Sequence, residues 1–219
     1  MTILETVARV AAKIAPGRVP SFDEAHVLEA LDDINGLGTV GRLRLSKDLD
    51  LGEGETRTLV KHLKNEGLID ISKSGISLSE AGKKLLSSLR TVLSEQVVVP
   101  STPLTVGRFN VAVRVTGMKN SIKYGVEQRD AAMMAGAKGA TTLVFTKNRL
   151  TLPGTGEDAS KSGSSLIAAL SILSLKEGDV VIIGSADEKI KAELGVKTAA
   201  LELLKTGHGK PRTPSNGNQ

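Results

Sequence analysis

There is no cysteine in this chain, so disulfides, thiolate nucleophiles and thiolate-based zinc sites are all excluded. Tryptophan is absent too, and one tyrosine and three phenylalanines supply the whole aromatic content. His26, His62 and His208 are the only histidines and lie too far apart in sequence for metal-ligand spacing. No apolar run is long enough to span a bilayer. The first 16 residues carry Glu5 and lack a basic stretch before an apolar core, so they do not read as a secretory leader. A cytoplasmic protein without a membrane is expected. Dinucleotide and P-loop fingerprints, a nucleophile elbow and a carboxylate pair with an acid/base partner are all missing. The expectation is therefore a non-enzyme with no catalytic residue, no metal and no cofactor.

The 219 residues are 40% apolar and 24% charged, ordinary for a soluble globular chain with room for one large or two small domains. The net charge of +5 is unevenly placed. Residues 1–95 hold 13 Lys and Arg against 14 Asp and Glu, whereas residues 96–219 hold 16 against 10. A nucleic-acid reading must therefore rest on local placement rather than on total charge.

Punctuation divides the chain into an amphipathic helix within 1–20, a unit at 21–93, a proline-stiffened linker at 94–104, a second unit at 105–205, and a disordered tail at 206–219. Ile3, Leu4, Val7, Ala8, Ala11 and Ile14 recur at helical spacing in the first. Ser21 and Glu24 suggest a capping box for the next helix, which carries Val27, Leu28, Leu31 and Ile34 on one face and ends at Asn35-Gly36. A short helix over 42–49 and a third over 53–66 follow. Two short strands, 68–72 and 76–78, flank a Lys73-Ser74-Gly75 turn, and a helix over 79–93 closes the unit. This order predicts a winged helix-turn-helix, followed by an α/β or α+β domain.

Projected at about 100° per residue, the third helix separates cleanly. Thr56, Leu59, Val60 and Leu63 form a core stripe. Gly54, Arg57, Thr58, Lys61 and Asn65 form the opposite ridge, donors without a carboxylate among them. Such a ridge suits a major groove: Arg57 has the fork for a guanine edge, and Thr58 can meet a base or a thymine methyl. Lys61, Arg42 and Arg44 suit phosphates, Lys73 at the wing tip can reach phosphate or the adjacent minor groove, and His62 beside the ridge is either a further contact or, as lone histidines more often are, incidental. Each feature alone is also what a solvated helix or an ordinary turn would show. Their conjunction is what favours double-stranded DNA.

Val40-Gly41-Arg42, Leu49-Asp50-Leu51-Gly52-Glu53, Leu63-Lys64-Asn65-Glu66-Gly67-Leu68-Ile69-Asp70-Ile71 and Ser74-Gly75-Ile76-Ser77-Leu78 resemble the N-terminal winged-helix domain of the central glycolytic genes regulator family, over about residues 21–90. The resemblance implies operator binding. In that family a large sugar-phosphate-binding domain follows, for which the remaining chain is too short. The whole arrangement looks like archaeal regulators that join this winged helix to an uncharacterised C-terminal domain.

In the second unit, Arg108, Arg114, Lys123 and Arg129 are candidate ligands for a small anionic effector, and the Gly184-Ser185-Ala186-Asp187 junction offers free amides. A solvated sheet face with a normal turn is the plainer reading. A homodimer is expected, with the first and last helices of the DNA-binding unit as candidate interfaces. The rival is a protein-interaction or RNA-binding module contacting its partner through the basic second half; it predicts that binding disappears when residues 96–219 are deleted.

Overall fold

The computed structural model describes residues 2–12 and 20–208. The expected breaks at Pro16 and Gly17 and most of the expected tail lie outside these residues. Helix α1 (Ile3–Ala11) starts with a reciprocal cap, Thr2 accepting from the Glu5 amide while Glu5 accepts from the Thr2 amide. Its Val7 and Val10 are fully buried. Helix α2 (Glu24–Leu37) is capped by Asp23, not by the expected Ser21–Glu24 box, because Asp23 accepts the His26 amide at 3.1 Å. The Ser21 amide instead donates to Glu55.

Helices α3 (Arg42–Asp48) and α4 (Glu53–Asn65) are joined by a turn in which Asp50 takes a left-handed φ of 52°. Strands β1 (Ile69–Ser72) and β2 (Gly75–Leu78) pair antiparallel, Ser72 facing Gly75 across the two-residue turn Lys73-Ser74. Val40 exchanges backbone hydrogen bonds with Ile76, which fixes the hairpin against the start of α3. Helix α5 (Glu80–Arg90), capped by Ser79, completes this unit.

The second unit is built on a five-stranded, wholly antiparallel sheet, of order β3-β4-β7-β5-β6. The strands are β3 (Val97–Val98), β4 (Phe109–Val115), β5 (Gly139–Thr146), β6 (Arg149–Thr151) and β7 (Val180–Ala186). The expected tether at 94–104 thus supplies an edge strand, Val97 opposite Ala112. Helices α6 (Val126–Met134) and α8 (Lys189–His208) cover one face, and α7 (Ser164–Ser171) covers the other. The Gly/Ser-rich stretch at 154–165 holds a 3₁₀ turn at Ala159–Ser162, with Ala159 buried. The expected tail begins too early, since α8 continues through His208.

Two runs of consecutive buried residues, Val27–Leu31 on α2 and Ala192–Lys197 on α8, explain how the units join. A helix buried all round must be enclosed on more than one side. α2 packs against α1, α5 and β2 and also against α8, so one apolar cluster runs from Val7 through Leu28 to Val196 and Leu204. α8 approaches the sheet closely at Gly184, where a Cβ would lie 2.8 Å from the Ala192 carbonyl oxygen. The two units share a core.

Candidate nucleic-acid interface

On α4, Thr56, Leu59 and Leu63 are fully buried, and Thr56 Oγ1 donates back to the Gly52 carbonyl. This inward stripe turns the opposite ridge outward. Gly54, Arg57, Lys61 and Asn65 are exposed, and Thr58 is partly so. Among the described residues, Arg42, Arg57, Lys61, Asn65 and Lys73 make no side-chain hydrogen bond or ion pair, so their donors are available. Thr58 has spent its proton on the Gly54 carbonyl at 3.1 Å, leaving an acceptor and a methyl. Glu53 is exposed on the flank, one turn before Arg57.

Two other flanking carboxylates are engaged by partners off the ridge. Glu66 accepts from Arg9 at 2.6 Å, and this bond holds its carboxyl below the usual range. Glu55 caps the Ser21 amide at 3.1 Å. Two other expected contacts are engaged elsewhere. His62 is buried, its Nδ1 2.8 Å from the Val10 carbonyl and its ring edge-on to Phe22, so it closes the end of α1. Arg44 pairs with Asp48 at 2.5 Å within α3, yet stays exposed at the edge of a cleft.

That cleft, of about 550 Å³, lies between α2, α3 and the start of α8. Asp33, Asp48, Asp50, Asp187, Glu188 and Glu193 outnumber its cations. Burial, reinforced by the negative fields of Glu29 and Asp48, pushes the Asp33 carboxyl up to about 7. The carboxylates at Asp187 and Glu188 make the β7–α8 junction hostile to an anion, contrary to the sequence expectation.

The four candidate effector cations do not converge either. Arg114 donates to the Leu173 carbonyl at 3.0 Å and faces buried Asp179. Arg129 pairs with Asp130, Arg108 sits over the Phe109 ring, and Lys123 is exposed. The plainer reading, a solvated sheet face, fails at Arg114, because α7 covers that side of the sheet.

Sequence reasoning missed the charged clasp between the units. Lys197, buried on α8, lies 2.5 Å from Glu29 and 2.6 Å from Asp32 on α2. Burial opposes its charge, but Asp32 and Glu29 outweigh that and raise its pKa. Arg90 also binds Asp32, and the Gln96 amide bridges Glu29 and Glu193. A charged residue inside each apolar run, Glu29 and Lys197, was the available signal.

With this geometry in view, comparison with known proteins settles the first unit. Residues 27–93 match the family described as the CggR N-terminal DNA binding domain. The N-terminal unit is a DNA-binding domain. Residues 106–203 match a domain of unknown function, DUF4443. A solved structure, of a hypothetical protein from Pyrococcus horikoshii OT3, is 27% identical with a TM-score of 0.66, covering 82% of this chain and 98% of that one. No curated protein matches. Among the described residues no helix is long and apolar enough to cross a membrane, and no cluster of three potential metal ligands occurs.

Proposed function

We propose that the protein is a cytoplasmic, non-enzymatic transcription regulator that lays α4 in the major groove of duplex DNA, with β1–β2 as a wing. The observation that carries this reading is the ridge from Gly54 to Asn65, outward and free of internal partners at Arg57, Lys61 and Asn65. Arg57 reads a base edge and Thr58 a methyl, while Lys61, Arg42 and Lys73 grip phosphates. The regulator acts as a homodimer, since two copies of α4 about 34–36 Å apart match one turn of duplex. The second unit serves as the effector or assembly domain.

The rival reading, a basic second half making the main nucleic-acid or protein contact, loses support from its own charges. Arg114, Lys119, Arg129, Lys138, Lys189, Lys191, Lys197 and Lys205 all face carboxylates.

The test is fluorescence anisotropy on duplexes from the protein's own promoter region, over a range of salt. Arg57→Ala is expected to cost about 1–3 kcal/mol on the preferred sequence and to relax preference at one base pair. Lys61→Ala should weaken all sequences evenly and lower the salt slope by about one. Unchanged affinity in both variants counts against α4 as the reading helix.

A further inference from the structure

The β5–β6 hairpin, the 3₁₀ turn and α7 border a half-open pocket of about 650 Å³, lined by none of the residues of the α4 ridge or the acidic cleft. Its floor is apolar: Phe145, Leu150, Ile167, Leu170 and Leu175. Its rim carries Asn148, Arg149, Asp158, Ser160 and Ser171. This volume and lining, a mostly apolar concavity with a few polar groups, are those of small-molecule sites.

The rim has unspent hydrogen-bond donors, foremost the Arg149 guanidinium. Ser171 donates to the Ala168 carbonyl, and Asp158 accepts the Ser160 amide at 2.8 Å. The side chains of Arg149 and Asn148 and the Ser160 hydroxyl make no hydrogen bond or ion pair among the described residues. Arg149 is presented by a tight turn in which Lys147 and Asn148 take φ of 50° and 60°, and it faces Thr146 at the first rung of the hairpin. A guanidinium fork above an apolar floor matches a carboxylate at the end of an apolar body. Asp158, close enough for Arg149 to lower its pKa further after its bonds to Ser160 have done so, repels a second negative charge. A phosphate or a diacid therefore fits less well than a single carboxylate.

We propose that this cavity binds a small organic monocarboxylate with an apolar body, and that occupancy is sensed by the DNA-binding unit. A hydrogen-bonded chain leads there. Arg114 holds the Leu173 carbonyl just after α7, and Ser94 and Arg114 exchange bonds, the Ser94 amide to the Arg114 carbonyl and the Arg114 amide to Ser94 Oγ. Arg90 on α5 then donates to the Ser94 carbonyl at 3.0 Å and to Asp32 on α2. Movement of α7 around a ligand is thereby felt by two helices of the DNA-binding unit. The regulatory half of this proposal rests on the DNA-binding reading; occupancy of the cavity does not.

The experiment is isothermal titration of the full chain, without DNA, using octanoate and, as chain-length controls, octanol and octylamine. Octanoate is expected to bind saturably, octanol about tenfold more weakly, and octylamine not at all. Arg149→Gln should weaken octanoate about tenfold while leaving Tm unchanged, because the Arg149 side chain makes no hydrogen bond or ion pair among the described residues and its backbone pairing is kept. Ser171→Trp, at an exposed rim position, should fill the cavity and abolish binding. Absence of octanoate binding, equal binding of octanol, or wild-type affinity in Arg149→Gln would each overturn the site. Octanoate is then added to the anisotropy assay. A shift in DNA affinity that Arg149→Gln removes supports the sensing role; binding without any shift overturns that role alone. Loss of DNA binding in the ligand-free protein would be seen separately, as failure of the α4 reading.

Discussion

Replacing Lys197 with Met should destabilise the whole chain, not one half of it. The Lys197 ammonium is 3% exposed and lies 2.5 Å from Glu29 and 2.6 Å from Asp32, so the substitution strands two carboxylates at a shared core. Removing one partner of a buried ion pair costs about 3–5 kcal/mol, because the charge left behind keeps its desolvation penalty. Here Asp32 retains Arg90, and Glu29 retains the Gln96 amide at 3.3 Å, which favours the lower figure. A loss of about 3 kcal/mol in a chain of this size lowers Tm by roughly 6–12 °C. Scanning calorimetry is the assay, and the wild type should give a single transition since one apolar cluster runs through both units. Lys197→Met with Glu29→Gln should recover part of the loss by removing one stranded charge. A single Lys197→Met variant as stable as wild type would refute the claim that this clasp holds the units together.

Asp33 gives the protein a pH dependence of definite sign. Its folded pKa, about 7, lies above the ordinary 3.8, so the folded state binds the proton more tightly. The stability this contributes is complete below about pH 4 and is lost as pH rises through about 7. Glu193, raised first by burial and then by Glu29, adds to the same trend. Asp33→Asn should therefore stabilise at about pH 8, by roughly 1 kcal/mol after discounting its partial solvation, with little effect at about pH 4; urea melts that show equal effects at both would reject this. Gly184→Ala would place a Cβ 2.8 Å from the Ala192 carbonyl oxygen and 2.9 Å from Val196 Cβ, forcing α8 off the sheet. Its expected cost is about 1–3 kcal/mol, read as a fall in the urea midpoint, and a wild-type midpoint would show that α8 has slack.

The ridge on α4 was legible because helical periodicity needs only residues one turn apart, and Thr56, Leu59 and Leu63 had to point inward together. His62 was not, because what removes it from the surface is the Val10 carbonyl and the Phe22 ring, both remote in sequence. The same distance hid the role of Lys197, whose partners lie more than 160 residues earlier. On β4, Phe109, Val111, Val113 and Val115 alternate with Asn110, Ala112 and Arg114, but alternation says which residues share a face and not whether that face is wet. Ala112 belongs to the α7 side and Val111 and Val113 to the α8 side, so both faces are covered and Arg114 serves the fold. A two-residue strand such as β3 has no period to detect. It exists because β4 offers an edge.

The shared core changes how the DNA-binding reading should be tested. Cutting the chain after residue 95 would remove α8 from α2, leaving Glu29 and Asp32 without Lys197 and exposing part of the apolar surface along Val27–Leu31. It would also remove β4, whose Val115 bridges Leu93, and the following Thr116, whose amide donates to the Val92 carbonyl. Each large aliphatic side chain returned to water costs about 1.5–3 kcal/mol. A few such losses exhaust the 5–15 kcal/mol that keeps a typical domain folded. The fragment 1–95 is therefore expected to be expanded, with poorly dispersed amide resonances and no DNA affinity. That loss of affinity would say nothing about which half touches the duplex. A fragment with sharp, dispersed resonances and a cooperative melt would refute the shared core. Substitutions at Arg57 and Lys61, which remove no described contact within the fold, separate contact from stability where truncation confounds them.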